Sequence, residues 1–166
     1  SKKNPYIISV IKKFFHQFAS PKSYFDIANK IVRPFLVIFF LAYTASLVWG
    51  IFFTPPDAIQ GNSYRIIYMH VPASFVAQML FIAMAVTSSV FLIWKLKLAA
   101  YVSKSIAPIG ALITFFALFS GSVWGIPTWG TWWQWDARIT STLILFIMYL
   151  GLISLHASFE NKEKAD

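Results

Sequence analysis

Residues 106–136 read IAPIGALITFFALFSGSVWGIPTWGTWWQWD, an apolar run that leads directly into a tryptophan-rich stretch. The first part, 106–124, has no Lys, Arg, Asp or Glu and approaches the roughly 20 residues that a helix needs to cross a bilayer. The second part, Trp124–Asp136, holds five of the seven tryptophans of the chain. Three residues interrupt it: Gly125, Pro127 and Gly130. We therefore expect the Trp-rich stretch to leave the helical path and to form a shelf for a large, flat, apolar group.

Three further runs without charged residues are 34–54, 70–94 and 139–156. Hydrophobic residues make up 58% of the chain and charged residues 12%, whereas about one residue in four of a soluble domain is charged. Backbone groups in lipid must form their hydrogen bonds within the segment. The sequence therefore predicts an all-α, polytopic membrane protein with four transmembrane helices and no separate soluble domain.

The basic residues lie at the ends of the apolar runs, which gives the predicted helices an orientation. The N-terminal segment, the loop between the second and third runs, and the tail carry Lys2, Lys3, Lys12, Lys13, Lys22, Lys30, Arg33, Lys95, Lys97, Lys104, Lys162 and Lys164. The positive-inside rule then places both termini in the cytoplasm and the Trp-rich stretch on the opposite face, the periplasm of a bacterium. The net charge of +8 is thus accounted for by the bilayer, and no nucleic-acid partner is expected.

The N-terminal segment has its own pattern. Residues 5–20 place apolar side chains at helical spacing with lysines opposite, which predicts a basic amphipathic helix in the membrane interface, ended by Pro21. The predicted organisation is a cytoplasmic and interfacial segment at 1–33, a transmembrane domain at 34–160 with a Trp-rich loop at 124–138, and a cytoplasmic tail at 161–166.

The clustering of tryptophans has two interpretations. Tryptophan favours membrane interfaces, so an aromatic belt is one of them. A belt, however, needs no adjacent tryptophans separated from others by glycine, and a binding surface for a planar apolar ligand fits the pattern better. Haem has a flat apolar ring, anionic propionates and an iron that binds imidazole. With no cysteine in the chain, covalent attachment is excluded and the haem would be of the non-covalent b type.

His70 is the histidine predicted on the same face as the Trp-rich stretch. Pro72 suits the first turn of a helix, so His70 is expected at or just before the start of the second span. It is either an iron ligand or an interfacial residue. His156 is expected at the far end of span four, roughly 25–30 Å away at 1.5 Å per residue, and His16 in the interfacial helix.

Two arginines on the Trp-rich side are candidates for binding propionates. Arg65 and Arg138 could each form forked hydrogen bonds to a carboxylate. Both could equally anchor the outer surface, and Arg138 could pair with Asp136. Asp136 itself is well placed to cap the fourth helix.

These stretches resemble the WWD family of haem-handling membrane proteins, and most closely its haem exporter protein C (CcmC) branch. The resemblance covers about residues 34–160. The matching segments are QGNSYRIIYMHVPA at 60–73, APIGA at 107–111, GSVWG at 121–125 and WGTWWQWDAR at 129–138. It implies that the protein binds haem at the outer face of the bacterial inner membrane, with His70 as an axial iron ligand. It also implies that Trp129, Trp132, Trp133, Trp135 and Asp136 form the haem-contacting part of the motif. The residue pattern adds four further candidates to the predicted site: Trp124, Gly130, Arg138 and Arg65.

The resemblance also implies partners and a larger architecture. Members of the family pass haem to a membrane-anchored haem chaperone for cytochrome c maturation, and they assemble with ATP-binding-cassette transporter subunits and a small single-span protein. They have six spans, with a second axial histidine after span five. We therefore expect this chain to represent a truncated six-helix fold, and to be a haem-transfer component more than a conventional enzyme.

Two other functions fit the residues less well. One is a membrane scaffold whose Trp-rich loop docks a protein partner, with haem incidental, because aromatic residues are frequent hot spots. The other is an enzyme acting on lipid or glycan at the outer leaflet. Acid–base catalysis would need a second carboxylate beside Asp136, and Asp57 is the only other one on that face.

Overall fold

A computed structural model describes residues 21–163 of the chain. The predicted interfacial helix at 5–20 lies outside this range. Within it, the secondary structure is helical: α1 (Pro21–Phe52), a 3₁₀ helix (Asn62–Ile66), α2 (Ile67–Trp94), α3 (Lys97–Trp129) and α4 (Ala137–Glu163). Four helices in the described part of the chain are long and apolar enough to cross a membrane. The predicted all-α architecture with four spans is confirmed.

α3 is the central helix and packs against both α2 and α4. Its buried positions are small: Ala99, Ser103, Ala107, Gly110, Ala111, Thr114, Ala117, Ser120, Ser122 and Gly125. Small residues let helix backbones approach closely in a membrane. At Gly110 a Cβ atom would overlap the ring of Tyr149, so only glycine leaves room for this tyrosine. Its hydroxyl donates to the carbonyl of Ala77 at 3.1 Å, which ties α4 to α2 through the middle of the bundle.

α1 stands largely apart from this bundle. It meets α2 at its C-terminal end, where a Cβ at Gly50 would lie 2.6 Å from the Tyr68 ring. Most of its remaining side chains are exposed. In a bilayer such apolar side chains are solvated by lipid, so this exposure is compatible with a span that makes few helix contacts.

The start of α2 differs from the prediction. The 3₁₀ helix continues directly into α2, whose N-cap Ile66 already has helical angles of φ −58° and ψ −24°. His70 therefore lies inside the first turns of the helix, and the expectation that it marks the helix start is wrong. Pro72 lies within the helix, where it costs one backbone hydrogen bond near the end of the span.

The end of α3 also differs. The helix continues through Gly125 and Pro127 to Trp129, so the first half of the Trp-rich stretch is helical and the expectation that it is irregular throughout is wrong. Gly130 ends the helix in a left-handed conformation with φ 73°, and its N–H donates to Ile126 at 3.0 Å. A Cβ at Gly125 would lie 3.0 Å from the Thr131 carbonyl oxygen. Gly125 thus lets the following loop fold back against α3.

Candidate functional site

A cavity of about 260 Å³ lies between α2, α3 and α4 beside the Trp-rich stretch. Its lining comes from all three helices: His70, Ser74, Gln78, Ala117, Leu118, Gly121, Trp124, Trp129, Arg138, Ile139 and Thr142. The structure thus brings together four of the predicted site residues, namely His70, Trp124, Trp129 and Arg138. His70 is far in sequence from the other three, and the packing of α2 against α3 brings it to the same end of the bundle.

His70 is partly buried in the contact between α2 and α3. Its Nδ1 atom lies 3.0 Å from Ser120 Oγ, and its Nε2 atom lies 3.5 Å from Ser74 Oγ one turn along the same helix. A Cβ at Gly121 would stand 2.9 Å from the imidazole Cε1. The imidazole is therefore fitted against the α3 backbone, with its ring edge-on to Trp124 at a centroid distance of 5.8 Å.

Trp124 is held by the loop that precedes the 3₁₀ helix. Its indole N–H donates to Gln60 Oε1 at 2.9 Å. Gln60 is placed in turn by Asp57, whose carboxylate accepts the backbone N–H groups of Ile59 and Gln60 at 2.9 and 2.8 Å. The N–H groups of Gln60 and Ile59 lower the pKa of Asp57 below its ordinary value, so at neutral pH the carboxylate holds this turn.

The other wall of the cavity is built at the start of α4. The Arg138 guanidinium lies over the Trp129 ring at 5.2 Å and pairs with Asp136 at 2.9 Å. Asp136 also accepts the N–H groups of Arg138 and Ile139, each at 2.9 Å, which confirms its predicted role as a helix cap. The Ile139 N–H and then Arg138 lower the pKa of Asp136. Of the alternatives for Arg138, the pair with Asp136 is present, and the side chain also lines the cavity.

The remaining tryptophans lie outside this cavity. We call Trp132, Trp133 and Trp135 the outer tryptophans. Trp135 is 76% exposed and Trp132 48% exposed. Trp133 packs edge-on against Trp135 at 5.6 Å, and its buried indole N–H has no hydrogen-bond partner within the described residues. The predicted single shelf is therefore two surfaces, separated by the left-handed turn at Gly130.

Arg65 and His156 lie elsewhere. The Arg65 guanidinium donates to the Thr54 carbonyl at 2.7 Å, which ties the 3₁₀ helix to the end of α1, and Arg65 does not line the cavity. His156 lines a second cavity with Met84 and Met148, one that shares no lining residue with the first. The expected separation of His156 from the Trp-rich site agrees with this arrangement.

Sequence reasoning missed the polar residues Ser74, Gln78, Ser120 and Thr142. A signal for two of them was present, because His70, Ser74 and Gln78 follow one another at intervals of four and share a helix face. The approach of Ser120 to His70 joins positions 50 residues apart and depends on how α2 and α3 pack.

The chemistry of the cavity fits haem. Within residues 21–163 no three His, Cys, Asp or Glu side chains are grouped to hold a bare metal ion. A single imidazole beside indole rings instead suits a metal that brings its own equatorial ligands, as iron does in a porphyrin. The guanidinium of Arg138 at the margin of the cavity is suited to a propionate.

Comparison with known proteins shows the family of the chain. A family model described as heme exporter protein C matches residues 14–166. The chain belongs to the haem exporter protein C family. Heme exporter protein C of Haemophilus influenzae is 41% identical over 150 residues, which is 90% of this chain and 61% of the relative. The heme exporter protein C of Escherichia coli K12 is 42% identical over 153 residues, 92% of this chain and 62% of the relative.

A third heme exporter protein C, from Paracoccus denitrificans, is 43% identical over 150 residues, 90% of this chain and 61% of the relative. The chain thus spans about three fifths of the length of the curated relatives it matches. Membership in this family, together with four helices able to span a bilayer, makes the chain a multi-pass membrane protein. The resemblance found in its sequence motifs is confirmed.

Proposed function

We propose that the chain binds haem non-covalently in the cavity between α2, α3 and α4 and delivers it for cytochrome c maturation. One observation carries the proposal: residues suited to the iron, the ring and a propionate of a haem line the same cavity, namely His70, Trp124, Trp129 and Arg138. Relatives that bear the name heme exporter protein C support it.

Each residue has a role that follows from its chemistry. The His70 imidazole ligates iron through Nε2, since Nδ1 is engaged by Ser120. Trp124 and Trp129 supply aromatic contact, and Arg138 pairs with a propionate. The cavity volume of about 260 Å³ lies below the roughly 300–1,000 Å³ of pockets that enclose their ligands. A porphyrin therefore extends beyond the cavity, which leaves an edge accessible for transfer.

We also propose on which side of the membrane the haem is transferred, and to which partner. Few charges flank the Trp-rich stretch, and basic residues flank the opposite helix ends, which favours the periplasmic side of a bacterial inner membrane for the cavity. The receiver is a membrane-anchored haem chaperone, and ATP-binding-cassette subunits and a small single-span protein complete the assembly.

Replacing His70 by Ala tests the ligand. The variant and the unmodified chain are purified in detergent and titrated with haem, and the visible absorption spectrum is recorded. We expect weaker binding and a shifted spectrum in His70→Ala, with partial recovery on addition of free imidazole. His156→Ala is the matched control and is expected to behave as the unmodified chain. An unchanged spectrum of His70→Ala at full haem occupancy would exclude His70 as the ligand.

A second candidate function rests on the outer tryptophans. Exposed indoles beside the cavity are suited to contact a protein partner, and in the scaffold alternative this contact would be the main function, with haem incidental. Purification of the complex separates the two. A colourless complex that still captures its partner supports the scaffold, and a complex whose partner capture requires bound haem supports haem delivery.

A further inference from the structure

We propose that Ser120 is a positioning residue that fixes the tautomer of His70 and thereby presents Nε2 to the cavity. This inference rests on the proposed role of His70 as an iron ligand. It concerns a residue that touches the imidazole and lies outside the cavity lining.

The hydrogen bonds of Ser120 determine which nitrogen of His70 carries the proton. A serine hydroxyl has one hydrogen to donate and two lone pairs to accept with. Ser120 Oγ lies 2.8 Å from the Phe116 carbonyl oxygen, one helical turn before it, and 3.0 Å from His70 Nδ1. If the hydroxyl donates to Phe116, its oxygen accepts from Nδ1–H and both hydrogen bonds form together.

The opposite tautomer forms fewer hydrogen bonds. With the proton on Nε2, the hydroxyl of Ser120 would have to choose between the Phe116 carbonyl and the bare Nδ1. The Nε2–H would then have Ser74 Oγ at 3.5 Å, beyond the usual range of a hydrogen bond from nitrogen. Because a buried polar group without a partner is costly, the Nδ1–H tautomer is favoured. Ser120 is only 7% exposed, so water does not readily replace it.

Gly121 also contributes to the position of the His70 imidazole. A Cβ at Gly121 would stand 2.9 Å from the Cε1 atom, which lies between the two ring nitrogens. The ring is therefore held by α3 at Nδ1 and at Cε1, and its remaining nitrogen, Nε2, carries the lone pair with only the longer contact to the Ser74 hydroxyl, at 3.5 Å. In metal sites a hydrogen bond to the second ring nitrogen orients a histidine and raises its basicity, and losing it typically weakens metal binding by about 10–100-fold.

The test uses the whole chain with bound haem and two readouts, haem affinity and the iron–histidine stretching frequency of the ferrous form. Ser120→Ala is expected to weaken haem binding by about tenfold and to lower the stretching frequency, because the imidazole becomes a weaker donor. Ser120→Thr keeps the hydroxyl and is expected to restore both. Ser122→Ala is the matched control, since Ser122 is buried on the same helix, and is expected to change neither.

Further variants cover the case in which Ser120→Ala does not fold. Ser120→Cys preserves the volume with a weaker acceptor, so its frequency should lie between those of Ser and Ala. Gly121→Ala should weaken haem binding by displacing the ring. An unchanged frequency and affinity in Ser120→Ala or Ser120→Cys, with haem lost from His70→Ala, would overturn the positioning role and leave the proposed function standing. An unchanged spectrum in His70→Ala would instead overturn the proposed function.

Discussion

The tryptophans on either side of Gly130 have different environments, although they are neighbours in sequence. Trp124 and Trp129 belong to the last turns of α3 and line the cavity. Each has a polar partner, Gln60 for the first and Arg138 for the second. The outer tryptophans follow the helix end and are fixed mainly by contacts with other aromatic rings.

These environments suit the two groups of tryptophans to different roles. A residue on a helix is placed by the packing of that helix, so Trp124 and Trp129 are oriented before a ligand arrives. Such preorganisation reduces the cost of binding. Of the outer tryptophans, Trp132 and Trp135 expose large apolar surfaces, a feature that marks interaction sites on proteins. We therefore expect ligand affinity to depend on the first group and partner contacts on the second.

The largest expected effect separates the two groups directly. Replacing both Trp124 and Trp129 by Ala should weaken haem binding by about 2 kcal/mol, roughly thirtyfold, since each aromatic contact contributes on the order of 1 kcal/mol. Replacing both Trp132 and Trp135 by Ala removes as much aromatic surface and serves as the matched control. Its haem affinity should stay within about threefold of the unmodified chain, as measured by absorption titration. A larger loss of haem affinity in the Trp132 and Trp135 double variant would contradict the roles assigned to the two groups.

A smaller effect concerns the partner of Trp124. Gln60→Leu removes the acceptor of the indole N–H, which costs about 1 kcal/mol and should lower haem affinity about fivefold. Gln60→Glu retains an acceptor oxygen and is expected to keep most of the affinity. Equal losses in the two variants would show that the hydrogen bond to Trp124 is not what Gln60 contributes.

The contact between Arg138 and Trp129 can be tested without changing charge. Arg138→Lys keeps the positive charge and loses the planar group over the indole ring, an interaction of about 0.5–1 kcal/mol. Haem affinity should fall about two- to fivefold, and the dependence on salt should persist. Arg33→Lys on α1 provides the control, with no expected change. A loss of affinity equal to that of Arg138→Ala would mean that charge contributes nothing.

The smallest effect is on the pH dependence of the loop. The pKa of Asp136 is lowered in the folded chain, so its carboxylate stabilises the start of α4 above the unfolded pKa of about 3.9. This contribution is lost as the pH falls through the lower folded pKa. Tryptophan fluorescence between pH 5 and 2 should therefore show a transition that shrinks in Asp136→Asn, where the cap is kept but does not titrate.

Asp57→Asn is the companion variant, because the pKa of Asp57 is lowered too. Asp57→Asn should remove a different part of the fluorescence transition, the part that arises from Trp124. An acid transition that is identical in both variants and in the unmodified chain would contradict the role of these caps.

Much of the fold follows from the sequence because lipid imposes a simple rule. Each charge-free run became a helix, since a span must satisfy its own backbone groups. The helix ends were less predictable. Pro72 and Gly125 indicated boundaries by their local preferences, yet α2 and α3 continue through them. Packing of the neighbouring turns against other helices outweighs the hydrogen bond lost at Pro72 and the conformational freedom of Gly125.

The site could be predicted only in part: four of its lining residues were expected, and its polar lining and its boundary were not. Charge asymmetry alone placed His70 and the Trp-rich stretch on one face. The separation of the tryptophans into two groups at Gly130 depends on where α3 ends. Arg65 does not line the cavity, and its guanidinium contacts Thr54 instead. The contact of Ser120 with His70 depends on the register of two helices, which no periodicity within either helix specifies.

Haem binding as proposed depends on His70 as the iron ligand. Nitrogen hyperfine coupling detects the bond between iron and this histidine directly. The chain has three histidines, so His16→Gln combined with His156→Gln leaves His70 alone. The double variant is labelled with ¹⁵N-histidine, loaded with ferric haem and studied by pulsed electron paramagnetic resonance. We expect an axial ¹⁵N coupling from His70 that is replaced by a ¹⁴N coupling in unlabelled protein. Fully bound haem without any ¹⁵N coupling would contradict this role of His70.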